Sequence, residues 1–263
     1  MKHRGCHSDP AERGKNLDPS SPASRDPQDD KKYKTRMKKG LFIVVDGPSA
    51  SGKDSIIKQL IKDLKKLSLK AVSIEETKEK KYDRKKILLA KKRGDKEVAK
   101  TIINERKKLY LEKVMSQLSK GNIVIANRGE PSTLSYQTLS HELTMQHVWN
   151  MHRRADIPPP NLVVITNCTV LEAVRREDLR KISIEEKDKG FLSGKFTPHH
   201  NGAGFTSLEK RKRIHANYKK AKDFLKKKGI PVIYLNTDNM NVPQESKRIV
   251  RFIKISLLSS LRD

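Results

Sequence analysis

The run Gly47-Pro48-Ser49-Ala50-Ser51-Gly52-Lys53-Asp54-Ser55 holds the residues best suited to chemistry in this chain. Residues 47–53 fit the spacing G-x-x-x-x-G-K between an apolar stretch and an amphipathic one, the context in which that spacing cradles phosphates. Gly47 and Gly52 can take backbone angles that turn successive N–H groups toward an anion. A helix beginning near Lys53 would aim its positive end at the same place, and the lysine would add a point charge for β- and γ-phosphates. The pattern predicts a site for ATP and Mg2+, with residues 47–55 as its binding segment. Asp54 stands where such loops usually place a Ser or Thr hydroxyl on magnesium. Two readings stay open: Asp54, with Ser55, meets the metal, or Asp54 only complements the positive end of the helix.

The elements that must position this loop are legible as apolar runs. LFIVVD (41–46) is a continuous β-branched run, as in a strand buried on both faces. Ile56, Ile57, Leu60, Ile61 and Leu64 then recur at helical spacing. KAVSIE (70–75), NIVIAN (122–127), the strand within PPPNLVVITN (158–167) and PVIYLN (231–236) supply four further strands. A long helix is predicted through Val98, Ile102, Ile103, Leu109, Tyr110, Val114 and Leu118. Thr206 and Glu209 form a capping-box pattern before a helix carrying Ile214, Tyr218, Ala221 and Leu225. Ile249, Val250, Ile253, Leu257 and Leu261 mark a closing helix. Five strands separated by helices predict an α/β chain of P-loop NTPase fold, with a parallel sheet and helices on both faces. The basic, weakly periodic stretch 175–206 reads as a mobile lid. Residues 1–38, rich in Pro, Ser and charge, read as a disordered basic tail preceding a single domain over 39–263. The segment from Met37 looks like a natural beginning; the rival reading is a tail that tethers the chain.

Beyond the loop, Asn127-Arg-Gly-Glu-Pro-Ser-Thr-Leu-Ser-Tyr-Gln137 follows the strand NIVIAN. It resembles the Asp-Arg-Tyr motif of the thymidylate kinase family, with that family's downstream Ser and Tyr-Gln at the same spacing. The resemblance covers roughly residues 40 to 260. It implies that Arg128 clamps phosphate between donor and acceptor, and that Ser132, Tyr136 and Gln137 lie against the acceptor nucleotide. Ile102-x-x-x-Arg106 resembles the Phe-x-x-x-Arg pair that meets the thymine base. Residues 160–177 look like the strand that leads into an arginine-bearing lid, where Arg175, Arg176 and Arg180 lie; the resemblance implies that one of them closes over the transferring group. The family also forms homodimers, an assembly carried over as an expectation. Three positions depart from the pattern: Asn127 replaces the aspartate, Gly129 the tyrosine and Ile102 the phenylalanine. The Gly-Lys-Asp-Ser ending of the loop also resembles the ribosyl-bisphosphate kinase branch of P-loop kinases. Each arginine has a plainer reading too: Arg128 paired with a carboxylate, Arg106 on a solvated face, and the lid arginines paired with Glu177 and Asp178. Tyr136 could equally be core.

Composition narrows the alternatives. The formal charge of +27 suits any polyanion, nucleotides and nucleic acids alike, so it cannot choose between them. Lysines are scattered and aromatics few, which disfavours a stacking platform for single strands. A nucleic-acid partner, or phosphorylation of polynucleotide ends, stays the less favoured reading. No Asp-x-x-Gly follows the loop and Thr166-Asn-Cys-Thr169 is not Asn-Lys-x-Asp, which argues against a GTP switch. Cys6 and Cys168 make neither a disulfide framework nor a zinc knuckle. No apolar run reaches the roughly 18–20 residues of a membrane span, so the expected location is the cytoplasm. His141, His147, His199 and His200 lack partners at metal spacing. The reading is ATP-dependent phosphoryl transfer to a nucleoside monophosphate, dTMP the first candidate.

Overall fold

The computed structural model describes residues 40–79, 83–189 and 207–259, with side chains to 180 in the helix ending at Lys189 and to 257 in the last helix. The expected tail, and 190–206 of the expected lid, lie outside the described residues. Five strands form one sheet: β1 Leu41–Asp46, β2 Ala71–Glu75, β3 Ile123–Asn127, β4 Leu162–Asn167 and β5 Val232–Asn236. Their order is β2-β3-β1-β4-β5, and all four pairings are parallel. β1, β3 and β4 are buried along their whole length, while the edge strands β2 and β5 are only partly so. That is why the three central strands read as unbroken apolar runs.

Helices cover both faces. α1 (Lys53–Lys66) and α9 (Val242–Ser259) pack on one side, through Ile56, Leu60 and Leu64 against Ile249 and Ile253. On the other lie α3 (Asp95–Leu109), α4 (Met115–Ser119), α5 (Glu130–Tyr136), α6 (Met145–Arg154) and α8 (Leu208–Lys227). α2 (Arg84–Ala90) flanks α3, and α7 (Val170–Lys189) follows β4. β1 lies between β3 and β4, the switch point of the sheet, where the carboxyl ends of the strands open a crevice.

Two of the expected helices differ in detail. The predicted Val98–Leu118 helix is interrupted by a π-turn, Tyr110–Val114. Residues spaced by four drift about 40° per step around an α-helix. The wider turn lets Tyr110, Val114 and Leu118 all remain buried, and Tyr110 meets Phe42 of β1 edge to face at 5.0 Å. The cap of α8 is Ser207 rather than Thr206: its side chain accepts from the Lys210 N–H at 3.2 Å.

Candidate active site

β1 runs straight into the glycine loop. A Cβ on Gly47 would lie 2.1 Å from the Thr166 carbonyl of β4, so no side chain fits there. Ala50 and Gly52 both take positive φ, 56° and 85°, and curl the loop before α1 begins at Lys53. The Ser51 and Thr166 hydroxyls, 2.7 Å apart, fasten the loop to β4. Lys53 is buried, and its Nζ donates to the carbonyls of Gly47 at 3.0 Å and Pro48 at 2.7 Å. Burial, and next the charge of Arg128, push its pKa down to about 7, against the opposing pull of Asp46 and Asp54.

Asp46 organises the site, and the sequence reading passed over it as the end of a strand. It is fully buried. Oδ1 accepts from the Gly47 N–H, the Ser132 hydroxyl and the Tyr218 hydroxyl of α8, at 2.7, 2.7 and 3.0 Å. Oδ2 accepts from the N–H groups of Gly129 and Ser132 at 3.0 and 2.8 Å. Five donors on two oxygens fix the mouth of the loop to the start of α5, and a buried carboxylate requires such satisfaction. The available signal was a carboxylate closing five apolar residues, directly before the loop glycine. Gly129 has a steric cause as well: a Cβ there would sit 2.7 Å from Val44 Cγ1. The chain therefore carries glycine where the resembling motif has tyrosine.

Arg128, between Asn127 and Gly129, has φ +82°. Left-handed backbone at a non-glycine residue is sustained only where its surroundings over-determine it; here the Arg128 N–H donates to the Val45 carbonyl at 3.0 Å. Its guanidinium makes a long contact, 3.4 Å, with the Ser132 hydroxyl and a hydrogen bond with Tyr136. Burial pushes the Tyr136 phenol up, and its ring meets Tyr218 edge to face. Gln137 is buried at the end of α5. Ser132 bonds Asp46 directly, Arg128 and through it Tyr136 reach that seat by way of Ser132, and Lys53 holds the carbonyl of Gly47, whose N–H bonds Asp46.

The other expected residues divide between the interior, the outer wall of the loop and α7. Arg106 is 1% exposed. It pairs through Nε and Nη2 with both carboxylate oxygens of Glu76, and its Nη1 meets Thr133 at 3.1 Å and His152 Nε2 at 2.7 Å. His152 Nδ1 faces the Val148 carbonyl, and burial followed by the Arg106 charge lowers its pKa to about 3, so a neutral imidazole accepts from the arginine. The expectation of a base-reading Arg106 meets a guanidinium engaged inward, because Glu76 follows directly on β2 and captures it. Ile102 is partly buried on α3. Arg176 donates to the carbonyls of Ala50 and Thr237 and pairs with Glu172, so it sits on the outer wall of the loop. Arg175 is exposed and pairs with Glu172. Arg180, a turn further along α7, lies near enough for its charge to oppose protonation of Lys53.

Asp54 and Ser55 are exposed in the first turn of α1. Asp54 Oδ1 accepts from Asn127 Nδ2 at 3.0 Å, and among the described residues no other hydrogen bond to it is seen. No group of three or more His, Cys, Asp or Glu capable of holding a metal occurs among the described residues. A single carboxylate beside a phosphate loop suits a magnesium ion carried largely by phosphates and water.

A glycine loop, a strained arginine just past the neighbouring strand and one clamp joining them are the parts of a phosphoryl-transfer site. The family model for thymidylate kinase matches residues 45–196. The chain belongs to the thymidylate kinase family. It is an ATP-dependent nucleoside monophosphate kinase, and the match spans the loop, the clamp, Arg128 with the α5 that follows it, and α7. No helix among the described residues of this kinase is long and apolar enough to cross a membrane.

Proposed function

We propose that the kinase transfers the γ-phosphoryl group of ATP to the phosphate of a nucleoside monophosphate, thymidylate first among candidates. The loop amides of 47–53 and Lys53 hold the donor phosphates, while Asp54, with Ser55, holds magnesium. When bound, the metal draws charge from the phosphate oxygens. Arg128 faces donor and acceptor phosphates together, and Ser132, Tyr136 and Gln137 border the acceptor. Arg180 neutralises charge from the α7 side, and Arg176 secures the loop wall. The stretch 175–206 acts as the lid, which excludes water. No general base is needed, because a phosphate monoester is already a nucleophile. The observation that supports this reading is the five-donor seat of Asp46, which places the donor loop and the start of α5, next to Arg128, against each other.

One observation favours a second acceptor class, such as a ribosyl bisphosphate: Arg106 is engaged by Glu76, Thr133 and His152. In the first reading Arg106 contributes by anchoring α5, not by touching the base. A coupled ADP-release assay with dTMP, dUMP, dCMP, UMP, AMP, GMP and ribose 1,5-bisphosphate separates the two. Preference for dTMP supports the first; turnover with ribose 1,5-bisphosphate alone replaces it. Lys53→Ala should lower kcat about a hundredfold or more with the fold kept, and unchanged turnover would sink the assignment. By the same family likeness the kinase assembles as a homodimer, which sedimentation velocity tests.

A further inference from the structure

Asp54, which departs from the usual phosphate-loop pattern, and Asn127, which departs from the family motif, touch each other. Asn127 ends β3, where its Cα partners are Val45 of β1 and Glu75 of β2, and it is 7% exposed. Asp54 is exposed on the first turn of α1. The 3.0 Å bond from Asn127 Nδ2 to Asp54 Oδ1 joins a rigid strand end to a surface carboxylate. The usual pattern puts a hydroxyl at position 54 and a carboxylate at 127. Here the carboxylate stands at 54 and an amide at 127, so the site keeps one negative charge and exchanges its bearer.

We propose that Asn127 is a positioning residue that holds Asp54 as the metal-facing carboxylate of the phosphate loop. An amide can donate to Asp54, whereas an ionised carboxylate at 127 would oppose it across the same 3.0 Å. A solvent-exposed aspartate otherwise samples several rotamers. One oxygen tied to a strand end leaves the other oriented for a cation, the part that outer-shell partners play at metal sites. Asn127 touches neither metal nor nucleotide in this account; it acts through Asp54. The inference rests on the kinase reading above.

The test is a double-mutant cycle read by binding, using the full chain, ADP and Mn2+ as the probe metal. Mn2+ affinity of the protein–ADP complex is measured by electron paramagnetic resonance, and ADP affinity in EDTA by calorimetry. Asn127→Ala should weaken Mn2+ about tenfold and leave metal-free ADP binding within about twofold. In an Asp54→Ala background the same change should do nothing further to Mn2+. An equal loss in both backgrounds, or none in either, overturns the inference. Asn127→Leu, closer in shape, repeats the cycle if the alanine variant unfolds. If the unaltered chain binds neither ADP nor Mn2+ with ADP, the kinase reading falls and takes this inference with it; normal binding with an unmoved cycle removes the inference alone.

Discussion

Lys53 sits in a setting hostile to an ammonium group. It is buried, it spends its donors on two loop carbonyls, and Arg128 and Arg180 both repel it. With a pKa of about 7, much of it is neutral above that pH in the free protein. Phosphates beside it favour the charged form and raise the pKa on binding. Nucleotide binding should therefore take up a proton above about pH 7, up to the raised value, and none well below it. Affinity should be greatest on the acid side and fall as pH rises through 7. Calorimetry at pH 8 in two buffers of different ionisation enthalpy measures the uptake, and identical apparent enthalpies would refute it. The lysine itself was legible from spacing alone. Asp46 was not, because four of its five donors come from residues 83 or more positions away. Nothing local marks such a seat beyond a lone carboxylate in an apolar run.

At the scale of elements, two contacts decide how α5 is placed. Gly129 lets the chain pass over Val44. Gly129→Ala should lose about 1–3 kcal/mol of stability through overpacking, and Val44→Ala in the same chain should return part of it. Urea denaturation checks both, and independent effects would show that Val44 is not the obstacle. Arg106 ties the residue after β2 to α5 and α6 through Glu76, Thr133 and His152. Arg106→Leu would strand the Glu76 carboxylate in the interior, a loss of about 3–5 kcal/mol. A paired Glu76→Leu change should recover most of it, whereas equal instability would point to packing alone. β1, β3 and β4 were readable because central parallel strands are apolar throughout, and the edge strands β2 and β5 because shorter apolar runs mark them. α2, α5 and α6 were missed: each has ten residues or fewer, too short for periodicity to stand out. The π-turn was invisible because both helix types satisfy the same apolar spacing to within a turn.

For the whole molecule, a formal charge of +27 surrounds a site whose substrates are polyanions. Such a field raises encounter rates and is screened within about 10 Å at 0.1 M salt. The value of kcat/KM should then fall severalfold between low and roughly 0.3 M monovalent salt, with kcat nearly constant. Stopped-flow binding of a fluorescent ATP analogue gives the same slope directly, and a flat profile would show that the charge serves something else. The sheet order bears on the making of the protein. β1 is the first strand of the sheet to leave the ribosome, yet it belongs in the middle, between β3 and β4. Its partners at 123–127 and 162–167 are synthesised long afterwards. At bacterial to eukaryotic elongation rates that interval is roughly ten seconds. Throughout it, the run LFIVV has two open edges and only α1 available to cover one face, so the segment that later anchors the phosphate loop is open to pairing with other chains until β3 and β4 arrive.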